Sequence, residues 1–203
     1  MKGRIAVLIS GRGSNMQSIV VAAKRGVIQA DVSLVVSNRS NAPGLDFARR
    51  ENIETVIVPH KDYPDREDYD RKIVEILEER KIDLVCLAGF MRLLSPVFVK
   101  AFPNRIMNIH PALLPSFPGL HAQKQAVEYG VKITGCTVHF VDEGLDSGPI
   151  ILQKIVEVMP KDTEETLSER LLPIEHSTYV EAVRLFFEKR LHIEGRKVLI
   201  TSD

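Results

Sequence analysis

The first hundred residues alternate short apolar runs with longer amphipathic ones, and that alternation restricts the possible folds more than any other feature. Ile5–Ser10, Val32–Ser37, Thr55–Val58 and Leu84–Ala88 are nearly continuous in apolar residues, the pattern of parallel strands covered on both faces. Asn15–Arg25, Ala42–Asn52 and Asp65–Arg80 lie between them and repeat apolar residues at helical spacing. In the last of these, Asp65 stands where an N-cap belongs, and Tyr69, Ile73, Ile76 and Leu77 trace one stripe. Strand–helix alternation predicts an α/β fold whose N-terminal half is a right-handed, Rossmann-like parallel sheet with helices on both faces.

After Arg105 the pattern changes, and the sheet is expected to continue as a mixed one. Arg105–Ile109 reads as a short strand, and the proline-rich stretch 110–121 that follows cannot be regular structure. Ala122–Tyr129 is expected to be a short helix stopped by Gly130. Thr134–Val141 and Ile150–Val158 read as strands joined by the acidic turn 142–149. Asp162 with Glu165 offers a capping box for a long helix reaching about Arg190, and Ile193–Ile200 adds an edge strand or hairpin. With no linker and no repeat, residues 1–203 are expected to form a single domain. The long irregular segments 110–121 and 142–149 are where function is expected to sit.

Charge and composition remove several classes of function. The 27 basic residues balance the 27 acidic ones, there is no Trp, and Tyr numbers four, so the chain has little with which to neutralise phosphates or stack bases. The run Ile5–Ile9 is too short to span a membrane and lacks the layout of a signal peptide, which points to a cytoplasmic protein without a nucleic-acid or membrane partner. Cys86 and Cys136 each lie inside an apolar run and read as buried free thiols. His110, His121 and His139 do not have metal-ligand spacing, so no metal is expected.

Three constellations carry chemistry. In SGRGSN, residues 10–15, Gly11 and Gly13 let backbone amides approach a ligand, and Ser14 or Asn15 opens a helix whose free N–H groups suit a phosphate. A dinucleotide reading is weaker, because Met16 replaces the third glycine and the second strand ends in Ser-Asn-Arg without the ribose-binding acid. Arg39 keeps an NADP-linked oxidoreductase open as an alternative. Asn108 and His110 are two apart on a strand, so an amide and an imidazole face one volume. In 141–150, Asp142, Glu143 and Asp146 offer carboxylates, one of which can fold in to hold His110.

SGRGSN, LAGFMRLLSP, MNIHPALLPSFPGLHAQKQA and GCTVHFVDEGLDSGPII together resemble the folate-dependent glycinamide ribonucleotide formyltransferases of purine synthesis, members of the 10-formyltetrahydrofolate formyltransferase superfamily. The likeness runs through nearly the whole chain, and Arg12 and Lys124 are small departures outside the catalytic residues. The resemblance implies transfer of a formyl group from the co-substrate 10-formyltetrahydrofolate to the amine of N1-(5-phosphoribosyl)glycinamide. Residues 1–100 would be the phosphate-binding half and 101–203 the catalytic and folate-binding half. Asn108, His110 and Asp146 would be catalytic. Gly13, Ser14, Asn15 and Met16 would hold the phosphate, and Leu172, Pro173, Ile174 and Glu175 the rest of the ribonucleotide. Met91, Arg92, Leu93 and Leu94 would line the pterin slot, Asn108, Asp142, Glu143, Gly144, Leu145 and Asp146 would contact or close over the folate, and Arg66 would meet its glutamate tail. The family also implies a cis Leu114–Pro115 bond, no metal, and a monomer or homodimer.

The same site in a formyltetrahydrofolate deformylase would use water in place of the amine, but such enzymes carry an added N-terminal domain. A methionyl-tRNA formyltransferase would need a further RNA-binding domain. A non-catalytic nucleotide-binding module is the remaining alternative.

Overall fold

The computed structural model describes residues 2–202. Strand β1 (Gly3–Ile9) is fully buried from Ile5 to Ile9, which requires apolar cover on both faces. The strands β2 (Ala30–Ser37), β3 (Glu54–Ile57), β4 (Leu84–Leu87) and β5 (Ile106–His110) join it in the order β3-β2-β1-β4-β5, every pairing parallel. Val7 stands opposite Cys86, and Leu87 opposite Asn108. This is the Rossmann-like arrangement expected, and it occupies the first of two compact units, Met1–Asn108; the second is Ile109–Asp203.

The helices of the first unit are α1 (Ser14–Lys24), α2 (Pro43–Arg50), α3 (Arg66–Glu79) and α4 (Pro96–Ala101), with one 3-10 turn at His60–Asp62. Asp65 caps α3 as expected, accepting from the Asp68 N–H at 2.9 Å, and Tyr69, Ile73, Ile76 and Leu77 are buried. Helix α4 is not predicted by the sequence pattern. Six residues that bury only Phe98 are too few to show a helical period.

In the second unit, β6 (Ile133–Phe140) and β7 (Ile150–Glu157) form an antiparallel ladder. A hairpin of β8 (Leu191–Glu194) and β9 (Lys197–Ile200) turns at Gly195, φ +60°, and β9 runs parallel beside β7. Helix α5 (Ala122–Tyr129) ends at Gly130 in the left-handed conformation, as expected of a glycine stop.

The long helix α6 (Glu164–Phe187) starts and stops differently from expectation. Its capping box is Thr163 with Thr166, each hydroxyl accepting the other's backbone N–H, at 3.3 and 2.9 Å. Asp162 is drawn away by Arg170, whose guanidinium takes both carboxylate oxygens at 2.9 and 2.5 Å, and by the Met159 N–H. A bidentate charged pair outweighs a single cap bond. The helix also contains Pro173, which removes one donor from the ladder in its middle.

Candidate active site

His110 closes β5 and Pro111 ends the strand. The ring is buried, only 4% exposed. Its Nε2 lies 2.8 Å from the Phe117 carbonyl, which can only accept, so Nε2 carries a hydrogen. Its Nδ1 lies 3.4 Å from Asp146 Oδ2. Both ring nitrogens thus face acceptors. Asn108 lies two residues earlier on the same strand, half-buried and on the same strand face.

Asp146 sits at φ +48°, a left-handed conformation that turns its carboxylate inward. Three groups share it. The Gly119 N–H donates to Oδ2 at 2.8 Å, His110 Nδ1 approaches the same oxygen, and His139 Nε2 stands 3.8 Å from Oδ1. His139, on β6, is almost wholly buried, and its Nδ1–H donates to the Phe140 carbonyl at 2.8 Å. Burial pushes its pKa below the ordinary histidine value, against the upward pull of that carbonyl and of Asp146. It is therefore a neutral ring presenting a lone pair toward the carboxylate.

Of the three acidic residues in 142–149, only Asp146 turns to the imidazole. Asp142 instead holds the turn, accepting from the Gly144 N–H at 3.0 Å and the Ser147 hydroxyl at 2.6 Å, while Glu143, Gly144 and Leu145 are exposed. The other irregular segment is anchored by Thr137, whose hydroxyl donates to the Ala112 carbonyl and accepts from the Leu114 N–H; Gln153 donates to the Leu114 carbonyl. Leu114–Pro115 is cis, as the resemblance implied.

In the first unit the chain reverses direction across the sheet between β1 and β4, the switch point at which open α/β sheets bind ligands outside the strands' carboxyl ends. Two predicted subsites flank it. Gly13, φ +64°, precedes α1, which has no side-chain cap and no acidic residue in its first turn, so its amide end presents positive potential. Asn15 is 8% exposed and Ser14 half-buried, whereas the Met16 side chain is wholly buried against Gly13. Met16 therefore offers a ligand its backbone alone, in keeping with a phosphate held by amides. On the other side of the switch, Met91 and Leu93 are exposed, at 61% and 45%, while the Leu94 side chain is buried. The Met91 N–H donates to Ser10 Oγ at 2.9 Å, tying the two stretches together. Arg92 lies over the Tyr69 ring, 5.1 Å from its centroid. Arg66 opens α3 and is exposed. Leu172, Pro173, Ile174 and Glu175 occupy the middle of α6; Glu175 is buried, and Pro173 is exposed.

A family profile described as formyl transferase matches residues 3–183. The chain belongs to the formyl transferase family. This formyl transferase is 44% identical over 187 residues to the phosphoribosylglycinamide formyltransferase of Escherichia coli, covering 92% of this chain and 88% of that one. It is 48% identical to the trifunctional purine biosynthetic protein adenosine-3 of Drosophila melanogaster over 90% of its own length, and there it spans only 14% of the relative. The crystal structure of glycinamide ribonucleotide transformylase 1 from Symbiobacterium toebii has a TM-score of 0.98 at 52% identity, covering 99% and 95% of the two chains. A formyltetrahydrofolate deformylase from Pseudomonas syringae shares the fold at a TM-score of 0.92 but 27% identity, and this chain covers 67% of it. Among the described residues of the formyl transferase, no helix is long and apolar enough to cross a membrane.

Sequence reasoning missed His139, which it weighed only as a metal ligand. The available signal was position: in Thr137-x-His139 two polar side chains share one face of an otherwise apolar strand, immediately before the acidic loop.

Proposed function

We propose that this chain transfers the formyl group of 10-formyltetrahydrofolate to the amine of glycinamide ribonucleotide, with Asn108, His110 and Asp146 as its catalytic residues. The observation that carries the reading is the approach of Asp146 to His110, 36 residues away in sequence and at the end of the strand that bears Asn108.

The amine attacks the formyl carbon, forming a C–N bond and a tetrahedral intermediate whose oxygen is anionic. The Asn108 amide donates to that oxygen, and the His110 imidazolium, its charge balanced by Asp146, donates as well. One aimed donor of this kind is worth about 2.7–4 kcal/mol. The attacking nitrogen loses a proton, N10 of the folate gains one, and the C–N10 bond breaks to leave tetrahydrofolate and the formylated amine. Positioned proton transfer contributes about 10²–10⁴-fold.

The amide end of α1, with Ser14 and Asn15, takes the phosphate; Leu172, Pro173, Ile174 and Glu175 serve the remainder of the ribonucleotide. Met91 and Leu93 offer apolar surface to the flat pterin, and Arg66 a positive charge to the glutamate tail. Both substrates are small molecules.

The deciding assay supplies 10-formyltetrahydrofolate with and without glycinamide ribonucleotide. Tetrahydrofolate formed only when the amine is present supports the transferase; formate released at the same rate without it makes the chain a deformylase and overturns the reading.

A further inference from the structure

Asp70 lies on α3, and no role was assigned to it above, yet it is only 1% exposed. Burying a carboxylate disfavours folding unless good partners compensate. Its one backbone donor is the Ser95 N–H, 2.5 Å from Oδ2, while Oδ1 has no hydrogen-bond partner. Burial pushes its pKa up, against the Ser95 amide and hydroxyl and the positive charges of Arg66 and Arg92.

What the carboxylate does is visible in the stretch it holds. Ser95 is the residue through which 89–95 enters α4, and its own hydroxyl makes no cap bond there. Asp70 supplies the anchor instead. The opposite end is fixed by the Met91 N–H on Ser10 Oγ at 2.9 Å. Between the two ends, the Arg92 guanidinium rests over the ring of Tyr69, the residue next to Asp70, and its Nε is buried with no hydrogen-bond partner. Tyr69 is itself held edge-on by Tyr63 at 5.6 Å and by His60 at 6.5 Å. The stretch is thus pinned at both ends and clamped in the middle, with Met91 and Leu93 exposed on it. An apolar shelf fixed before its ligand arrives saves the entropy of ordering it on binding.

We infer that Asp70 is a positioning residue for the formyl-folate subsite: it anchors 91–95 through the Ser95 amide and counters the charge of Arg92, so that Met91 and Leu93 meet a flat heteroaromatic ring preformed. This rests on the reading of 91–94 as the pterin slot and names the residue that makes the slot rigid.

Asp70→Asn keeps the size and an acceptor for Ser95 but removes the charge; Asp70→Ala removes both. With tetrahydrofolate as the titrant, Kd is expected to rise roughly tenfold in the Asn variant and further in the Ala variant. At saturating folate, kcat is expected to stay within a few-fold and the KM for the amine substrate to be unchanged. Arg92→Leu should weaken folate to a similar degree, and the double variant Asp70→Asn/Arg92→Leu should show less than the sum of the two losses. Additive losses, an unaltered Kd in either single variant, or a fall in kcat with folate affinity intact overturns the inference; the Arg92 variant keeps the test decisive even if Asp70 variants do not fold. Amide exchange of the wild type separates this from the slot itself. Tetrahydrofolate that fails to slow exchange at 91–95 refutes the slot, whereas protection there with normal folate binding by Asp70→Asn refutes only the part assigned to Asp70.

Discussion

Replacing Asp146 with Asn removes one charge and almost no volume, and so isolates the electrostatic share of the His110 pair. At 3.4 Å, with an effective dielectric of about 20, unit charges attract by about 5 kcal/mol. The Gly119 N–H, only 2.8 Å from the same oxygen, already satisfies part of the carboxylate's capacity, so the imidazolium receives less than the full attraction. A loss of about 3 kcal/mol in transition-state stabilisation follows, roughly two decades in kcat. The Asn oxygen still accepts from Gly119, so the loop stays folded and both KM values should remain within about threefold of wild type. Initial rates of formyl transfer at saturating substrates, measured from about pH 5.5 to 9, give the test. A variant whose kcat lies within a factor of about two of wild type, with the same pH profile, would refute the claim that Asp146 holds the charge on His110.

His110→Ala should lower kcat by about 10²–10⁴-fold with both substrates still bound in calorimetric titration; retained turnover removes the ring from the mechanism. Asn15→Leu, at the opening of α1, should weaken ribonucleotide binding about tenfold and leave tetrahydrofolate binding unchanged, and the reverse pattern would mean that the two subsites are interchanged. His139→Gln bears on acid stability. Because burial holds the folded-state pKa of His139 below 6.5, the unfolded chain binds a proton that the native one does not, and native stability drops as pH falls below 6.5. The variant should have a shallower decline of Tm with acidification, and identical slopes refute the assignment. Gly148→Ala should cost about 3 kcal/mol or prevent folding, since its Cβ would meet the Phe140 carbonyl oxygen head-on; denaturant midpoints within about 0.5 kcal/mol of wild type would show that the loop yields.

The parallel half of the fold was legible because burial on both faces writes itself into continuous apolar runs, as in Ile5–Ile9. Caps were less so: Asp162 carries the right side chain one position too early, and only the distant Arg170, eight residues into the sequence beyond it, decides that Thr163 takes the cap. The site divides the same way. Asn108 and His110 could be read from strand spacing. Which carboxylate of 142–146 serves the ring could not be read from spacing, because it depends on Ser147 capturing Asp142 and on the left-handed turn at Asp146. His139 left only the spacing of Thr137-x-His139 as a trace and Asp70 left none, since a buried polar side chain is explained by partners far away in sequence.

The Phe117 carbonyl gives the site a built-in competitor. Any oxygen that is to receive the Nε2 hydrogen must first outbid an acceptor already seated 2.8 Å away on the same chain. A lone water, bringing no binding energy from elsewhere, is poorly equipped to make that exchange, while an anchored pair of substrates brings contacts along their whole length. Selectivity against wasteful hydrolysis would then lie in an occupied hydrogen-bond position as much as in any residue that recognises the amine.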